Sequence, residues 1–85
     1  MFKLLLADKA KKQVKLIKKL HHRKAFLQIF EDIKEDPLIG KPLEDELKGE
    51  FSYRVGVYRV LYIIDWQDKK VTVLSARHRK VAYLK

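Results

Sequence analysis

The chain has no cysteine, so no disulfide can staple it and no thiolate zinc site can form. That absence fits a reducing compartment. Only three glycines and two prolines interrupt 85 residues, and there are no repeats or low-complexity segments. No apolar run approaches the roughly 20 residues of a membrane span. Residues 2–7, FKLLLA, are too short for a signal peptide and lack a small-residue cleavage site. The expectation is a soluble cytoplasmic protein. Acidic side chains are also scarce: eleven Asp and Glu face twenty Lys and Arg, a formal charge of +9. The excess is uneven, with 12 basic and 9 acidic residues in 1–50 but 8 and 2 in 51–85. Such a balance speaks to partners: nucleic acid, an anionic membrane surface or an acidic protein. It also fits a lysine-rich surface that only confers solubility.

Pro37, Gly40 and Pro42 fall together and divide the chain into two halves. Before them, FKLLLA reads as a buried strand. Residues 8–36 carry helical spacing. Asp8 is placed to cap a helix. Ala10, Val14, Ile17 and His21 form a stripe that Leu16 and Leu20 widen, and Phe26, Ile29, Phe30 and Ile33 form a second. His21, His22 and Arg23 interrupt the pattern, which predicts a helix hairpin ended by Pro37. The two histidines are expected at a helix end, where imidazole suits the negative dipole. As helical neighbours they point apart and cannot clamp one ion, and no other metal-binding set is visible, so neither metal nor cofactor is expected.

Residues 37–50 read as a polar connection. FSYRV, YRVLYII and VTVLSA then read as strands, the last after a turn at residues 67–70. The order β-α-α-β-β-β predicts one α+β domain over residues 1–85. An N-terminal strand and a helix hairpin would pack with a small, mostly antiparallel four-stranded sheet, the helices on one face, followed by a basic C-terminal tail.

The stretch RVGVYRVLY, residues 54–62, poses a problem of charge. Gly56 at the first central position suits a two-residue primed turn. Val55 then faces Tyr58, and Arg54 faces Arg59. Arg54, Arg59, Ser52, Leu61 and Ile63 share one face. Tyr53, Val55, Tyr58, Val60, Tyr62 and Ile64 share the other, which should pack on the helices. Directly opposed like charges destabilise a sheet. An anion gripped between the two guanidinium groups would account for them, although long side chains splayed into water are the plain alternative. Arg77, His78, Arg79, Lys80 and Tyr83 follow the last strand and would gather near these arginines. Guanidinium forks grip phosphate, and Tyr, His and Arg stack on bases, so RNA fits better than a membrane.

The runs LKGEFSYRVGVYRVLYIID and VTVLSARHRKVAY, with GKPL between the halves, resemble the RelE toxins of bacterial and archaeal toxin–antitoxin systems over nearly the whole chain. The resemblance implies an mRNA interferase that cleaves mRNA on the ribosome and is neutralised by a RelB-like antitoxin in a hetero-oligomer. It implies a basic active site with a tyrosine, carried over to Arg54, Arg59, Arg79 and Tyr83. It also marks a departure, because Ser52 stands where some members have a further basic residue. His78 or a nearby lysine is the candidate to replace it in proton transfer, with Glu44 and Glu46 weaker candidates for the glutamate that some relatives use. In metal-free cleavage a 2′-OH attacks the adjacent phosphate, and Arg59 and Arg79 would stabilise the charge that develops.

Arg77 and Lys80 would add to RNA binding. Lys11, Lys12, Lys15, Lys18 and Lys19 would lie opposite the apolar stripe of the first helix, either as a solvated face or as a contact with ribosomal RNA. A ParE-like inhibitor of DNA gyrase and a basic RNA-binding module without activity are the alternative functions. The cationic groove would suit an acidic, partly disordered antitoxin segment.

Overall fold

FKLLLA forms β1 (Lys3–Leu6), but as an edge strand rather than a buried one: Leu4 and Leu6 turn toward the core while Lys3 and Leu5 are exposed. The computed structural model describes residues 2–79. Helices α1 (Asp8–Leu16) and α2 (Leu20–Glu35) follow. Next come two short 3-10 turns, Pro37–Ile39 and Asp45–Leu47, with β2 (Lys41–Pro42) between them. The hairpin strands β3 (Glu50–Val55) and β4 (Tyr58–Asp65) lead to β5 (Lys70–His78). The sheet order is β1-β5-β4-β3-β2. Only β1 and β5 run parallel; the other neighbours are antiparallel.

The expected α+β architecture is present, with one strand more than the four expected. The fifth is β2, inside the polar connection, where Lys41 pairs with Ser52 and Pro42 with Phe51. Two residues are too few to show an alternating pattern. A proline is tolerated there because β2 is an edge strand.

The helix break falls earlier than the histidines. Ile17 leaves the helix with φ −81° and ψ 112°, yet its side chain is buried. The Arg23 Nε–H donates to the Ile17 carbonyl at 2.7 Å and satisfies a group the helix has abandoned. Continuing α1 would also stack Lys11, Lys15 and Lys19 at repelling i, i+4 positions. His21 and His22 therefore lie in the first turn of α2, at its positive end, not at a helix C-terminus. Asp8 is likewise the first helical residue rather than the cap. Ala7 holds the cap position without a side-chain bond, and Asp8 still favours the dipole.

Phe26, Ile29, Phe30 and Ile33 of α2 are buried, as their spacing predicts. They join Val60, Tyr62, Val71, Val73 and Ala76 beneath the helices. Burying each large apolar side chain contributes about 1.5–3 kcal/mol. Tyr62 is fully buried, and its hydroxyl is satisfied twice. It donates to the Pro37 carbonyl at 2.6 Å and accepts from the Gly40 N–H at 3.0 Å. Burial is the main cause that raises its pKa above the ordinary phenol value. A Cβ on Gly40 would sit 2.5 Å from that hydroxyl, so only glycine allows the approach. The connection is thus bolted to the core.

One irregularity decides the faces of β5. Leu61 pairs with Ser75, but Tyr62 pairs with Val73, which leaves Leu74 as an extra residue. Before this bulge Val71 and Val73 point to the helices; after it Ala76 and His78 do. The Gln13 side chain, buried on α1, accepts from the Ala76 N–H at 2.8 Å and holds the strand just past the bulge.

Candidate nucleic-acid interface

The hairpin turn forms as its sequence predicts. Gly56 takes φ +59°, and the register pairs Val55 with Tyr58 and Arg54 with Arg59. The bulge adds a third member, because it places Arg77 directly opposite Arg59 on the other side. Opposed residues of a ladder share a face, so Arg54, Arg59 and Arg77 form a row across three strands on the face the helices leave open. Arg54 and Arg77 are exposed and Arg59 is half-buried between them. Among the described residues the ion pairs are Lys34–Glu31 and Lys70–Asp68, so no carboxylate neutralises the row.

Arg79 also comes to this end of the sheet. Its backbone N–H donates to the Val57 carbonyl at 2.7 Å, which sets it beside the turn. Tyr83 and Lys80 lie outside the described residues.

His78 does not join the row. It follows Arg77, so strand alternation sends it to the helix face, where it is 6% exposed. Its ring lies 4.3 Å from His22 and 5.0 Å from Tyr58. His22 Nδ1 and the Tyr58 hydroxyl are 2.9 Å apart. Desolvation, then the charges of His21, His78 and Lys19, lowers the pKa of His22 below the ordinary imidazole value. The expectation that His78 stands beside the arginines is therefore corrected in its placement: past the bulge it turns inward, between α2 and β4. Glu44 and Glu46 flank or enter the second 3-10 turn, in the connection.

The lysines divide. Lys11, Lys12 and Lys15 are exposed on α1, on the helix side of the sheet. Lys18 and Lys19, expected on the same helix face, instead occupy the connection between α1 and α2, because Ile17 ends the helix. None of the five belongs to the arginine row. What the sequence missed is the Leu74 bulge, the Gln13 clamp and the position of Lys41. A glycine immediately before a Lys-Pro pair was the one available signal of the Tyr62 bolt.

Comparison with known proteins accords with this geometry. The sequence profile of a family described as "ParE toxin of type II toxin-antitoxin system, parDE" matches residues 4–83. The chain is similar to the toxin RelG of Mycobacterium tuberculosis, 47% identical over 55 residues that cover 64% of this chain and 63% of that one. It is also similar to the toxin RelE of the same organism, 40% identical over 53% of this chain and 46% of that one. The chain therefore spans less than two thirds of these curated relatives. Among solved structures, the RelBE2 toxin–antitoxin complex of M. tuberculosis superposes with a TM-score of 0.85 at 32% identity, covering 92% of this chain and 98% of that chain. The archaeal RelE–RelB complex of Pyrococcus horikoshii shares the fold, with a TM-score of 0.70 at 23% identity over 95% and 98% of the two chains. No helix among the described residues is long and apolar enough to cross a membrane. An arginine row on an open sheet, a helix hairpin behind it and a profile match over almost every residue converge on one conclusion: the chain belongs to the ParE toxin family of type II toxin–antitoxin systems, as a RelE-type toxin of the RelE/ParE superfamily.

Proposed function

We propose that this toxin is a ribosome-dependent mRNA endoribonuclease: a 2′-OH gives up its proton and attacks the adjacent phosphate, the bond from phosphorus to the 5′ oxygen breaks, that oxygen takes up a proton, and a 2′,3′-cyclic phosphate is left. The observation that carries the reading is the row Arg54–Arg59–Arg77, unpaired among the described residues and joined at the turn by Arg79. Three directly opposed cations repel one another, so the row is stable only to the extent that the covered face enforces it. A phosphodiester laid across it relieves the repulsion. Two-pronged bonds from planar guanidinium groups fit the phosphate oxygens. As the 2′ oxygen attacks, charge grows on those oxygens, and Arg59, at the centre of the row, meets it most directly. Arg79 works from the turn side, while Arg54 and Arg77 hold the flanking substrate. Tyr83 stacks on a base or moves a proton. Lys11, Lys12, Lys15, Lys18 and Lys19 touch ribosomal RNA from the far side of the sheet, so the ribosome positions the mRNA. A RelB-like antitoxin holds the toxin in a hetero-oligomer until it is removed, in keeping with the complexes in which the structural neighbours occur.

The test is cleavage of mRNA on translating ribosomes by single alanine variants of Arg59, Arg79 and Tyr83. Losing the central guanidinium should cost about 10²–10³ in rate. Full activity in all three removes the site. The match to the ParE toxin family keeps a second reading, the inhibition of DNA gyrase that resemblance to ParE toxins implies. Blocked supercoiling by the wild-type chain, with no cut mRNA, would select it.

A further inference from the structure

The row of arginines is not the only cationic feature of the open face. Lys41 pairs with Ser52, and directly opposed residues share a face. Ser52 lies two residues from Arg54, so the pleat puts Lys41 on the arginine face, one strand outward and one row along. The Lys41 side chain is exposed, and no carboxylate pairs with it among the described residues.

Its backbone is anchored on both sides. The preceding residue, Gly40, donates to the buried Tyr62 hydroxyl and touches it too closely for any Cβ. Two residues later, the Leu43 N–H donates to the Glu50 carbonyl at 2.9 Å. A Lys-Pro pair on an edge strand also discourages edge-to-edge pairing. That role needs a charge somewhere on the edge. It does not need a buried tyrosine to hold the strand at one register.

Resting on the RNA-cleaving reading and deepening it, we propose that Lys41 is a fourth substrate-binding cation, gripping the single-stranded RNA phosphate next to the one held by the arginines. Rows on one face of a strand repeat at about 6.8 Å, two residues along the pleat, so Lys41 addresses a neighbouring phosphate rather than the one that reacts. It is a binding group and carries no proton in the reaction.

The experiment measures binding of a short single-stranded RNA with 2′-O-methyl sugars, which resists cleavage, to the wild-type chain and to Lys41→Gln across a range of salt. The slope of log affinity against log salt should become shallower by about 0.7, the value for one phosphate contact on a single strand. On translating ribosomes the same variant should raise KM and leave kcat unchanged, and Lys41→Arg should restore both measurements. An unchanged slope with unchanged KM overturns the proposal and leaves Lys41 as an edge guard; so does a fall in kcat alone. If instead the wild-type chain neither binds the RNA nor cuts mRNA, the RNA-cleaving reading fails first and this proposal falls with it.

Discussion

Alternate residues of β4 meet opposite surroundings. Tyr58, Val60, Tyr62 and Ile64 face the helices, and Val60 and Tyr62 are wholly removed from water. Arg59, Leu61 and Ile63 face the open side, where Arg59 stands between two more arginines. The first set stabilises the fold by burial. The second set opposes it by like-charge repulsion across two ladders. The difference teaches how the row persists: a one-residue slip would expose the whole apolar set, so the covered face enforces the register that the open face resists.

The strongest way to break this comparison is to insert one alanine after Ser75. With the Leu74 bulge kept, the added residue takes the place of Ala76, and β5 from Ala76 onward reverses faces. Arg77 turns under the helices, His78 turns out, and Gln13 loses the Ala76 N–H. An unpaired buried charge costs roughly 3–5 kcal/mol, a large share of the stability of a small domain. No cooperative thermal transition is expected by circular dichroism. A melt like that of the wild type would show that the residue count past the bulge does not set the faces.

A smaller effect of opposite sign sharpens the comparison. Arg59→Thr removes the central charge and should raise stability by about 0.2–1 kcal/mol, seen as a higher urea midpoint, while weakening RNA binding. A lower midpoint would mean that the arginines do not repel one another.

The smallest effect concerns the end of the covered face. His22 has a folded pKa below its ordinary value, with the ring of His78, the charges of His21 and Lys19 and the Tyr58 hydroxyl around it. Between that lowered value and about 6.5 the unfolded chain binds more protons than the folded one. The contribution of His22 is therefore fully present above about pH 6.5 and is lost as pH falls toward the folded value. Thermal midpoints at pH 7.5 and 5.5 should differ in that direction, and His22→Gln should narrow the gap. Equal gaps in both proteins would remove His22 as the cause.

Much of the covered face was legible in the chain. The Phe26, Ile29, Phe30 and Ile33 stripe and the β3–β4 register were both readable, because each rests on a local period and a turn chemistry. The Arg54–Arg59 pair followed from Gly56 alone. Arg77 and His78 were harder. Both were assigned to one cationic site, since nothing in VTVLSARH announces that Leu74 is skipped. The helix end at Ile17 was hidden as well, because its apolar side chain continues the stripe while its backbone leaves the helix. Lys41 looked like linker, being two residues from the end of a 3-10 turn with a proline behind it.

Amino-acid order by itself determined the α+β architecture and the face that carries Arg54 and Arg59. Helical and strand periods are properties of neighbouring residues, and they need no distant partner to be expressed. Only the tertiary structure decided that Arg77 points outward, that His78 points inward and that Lys41 stands beside the arginines. A bulge and an edge pairing are settled by packing: by Gln13 on Ala76, and by Tyr62 on Pro37 and Gly40, groups far apart in the chain that meet only when it folds.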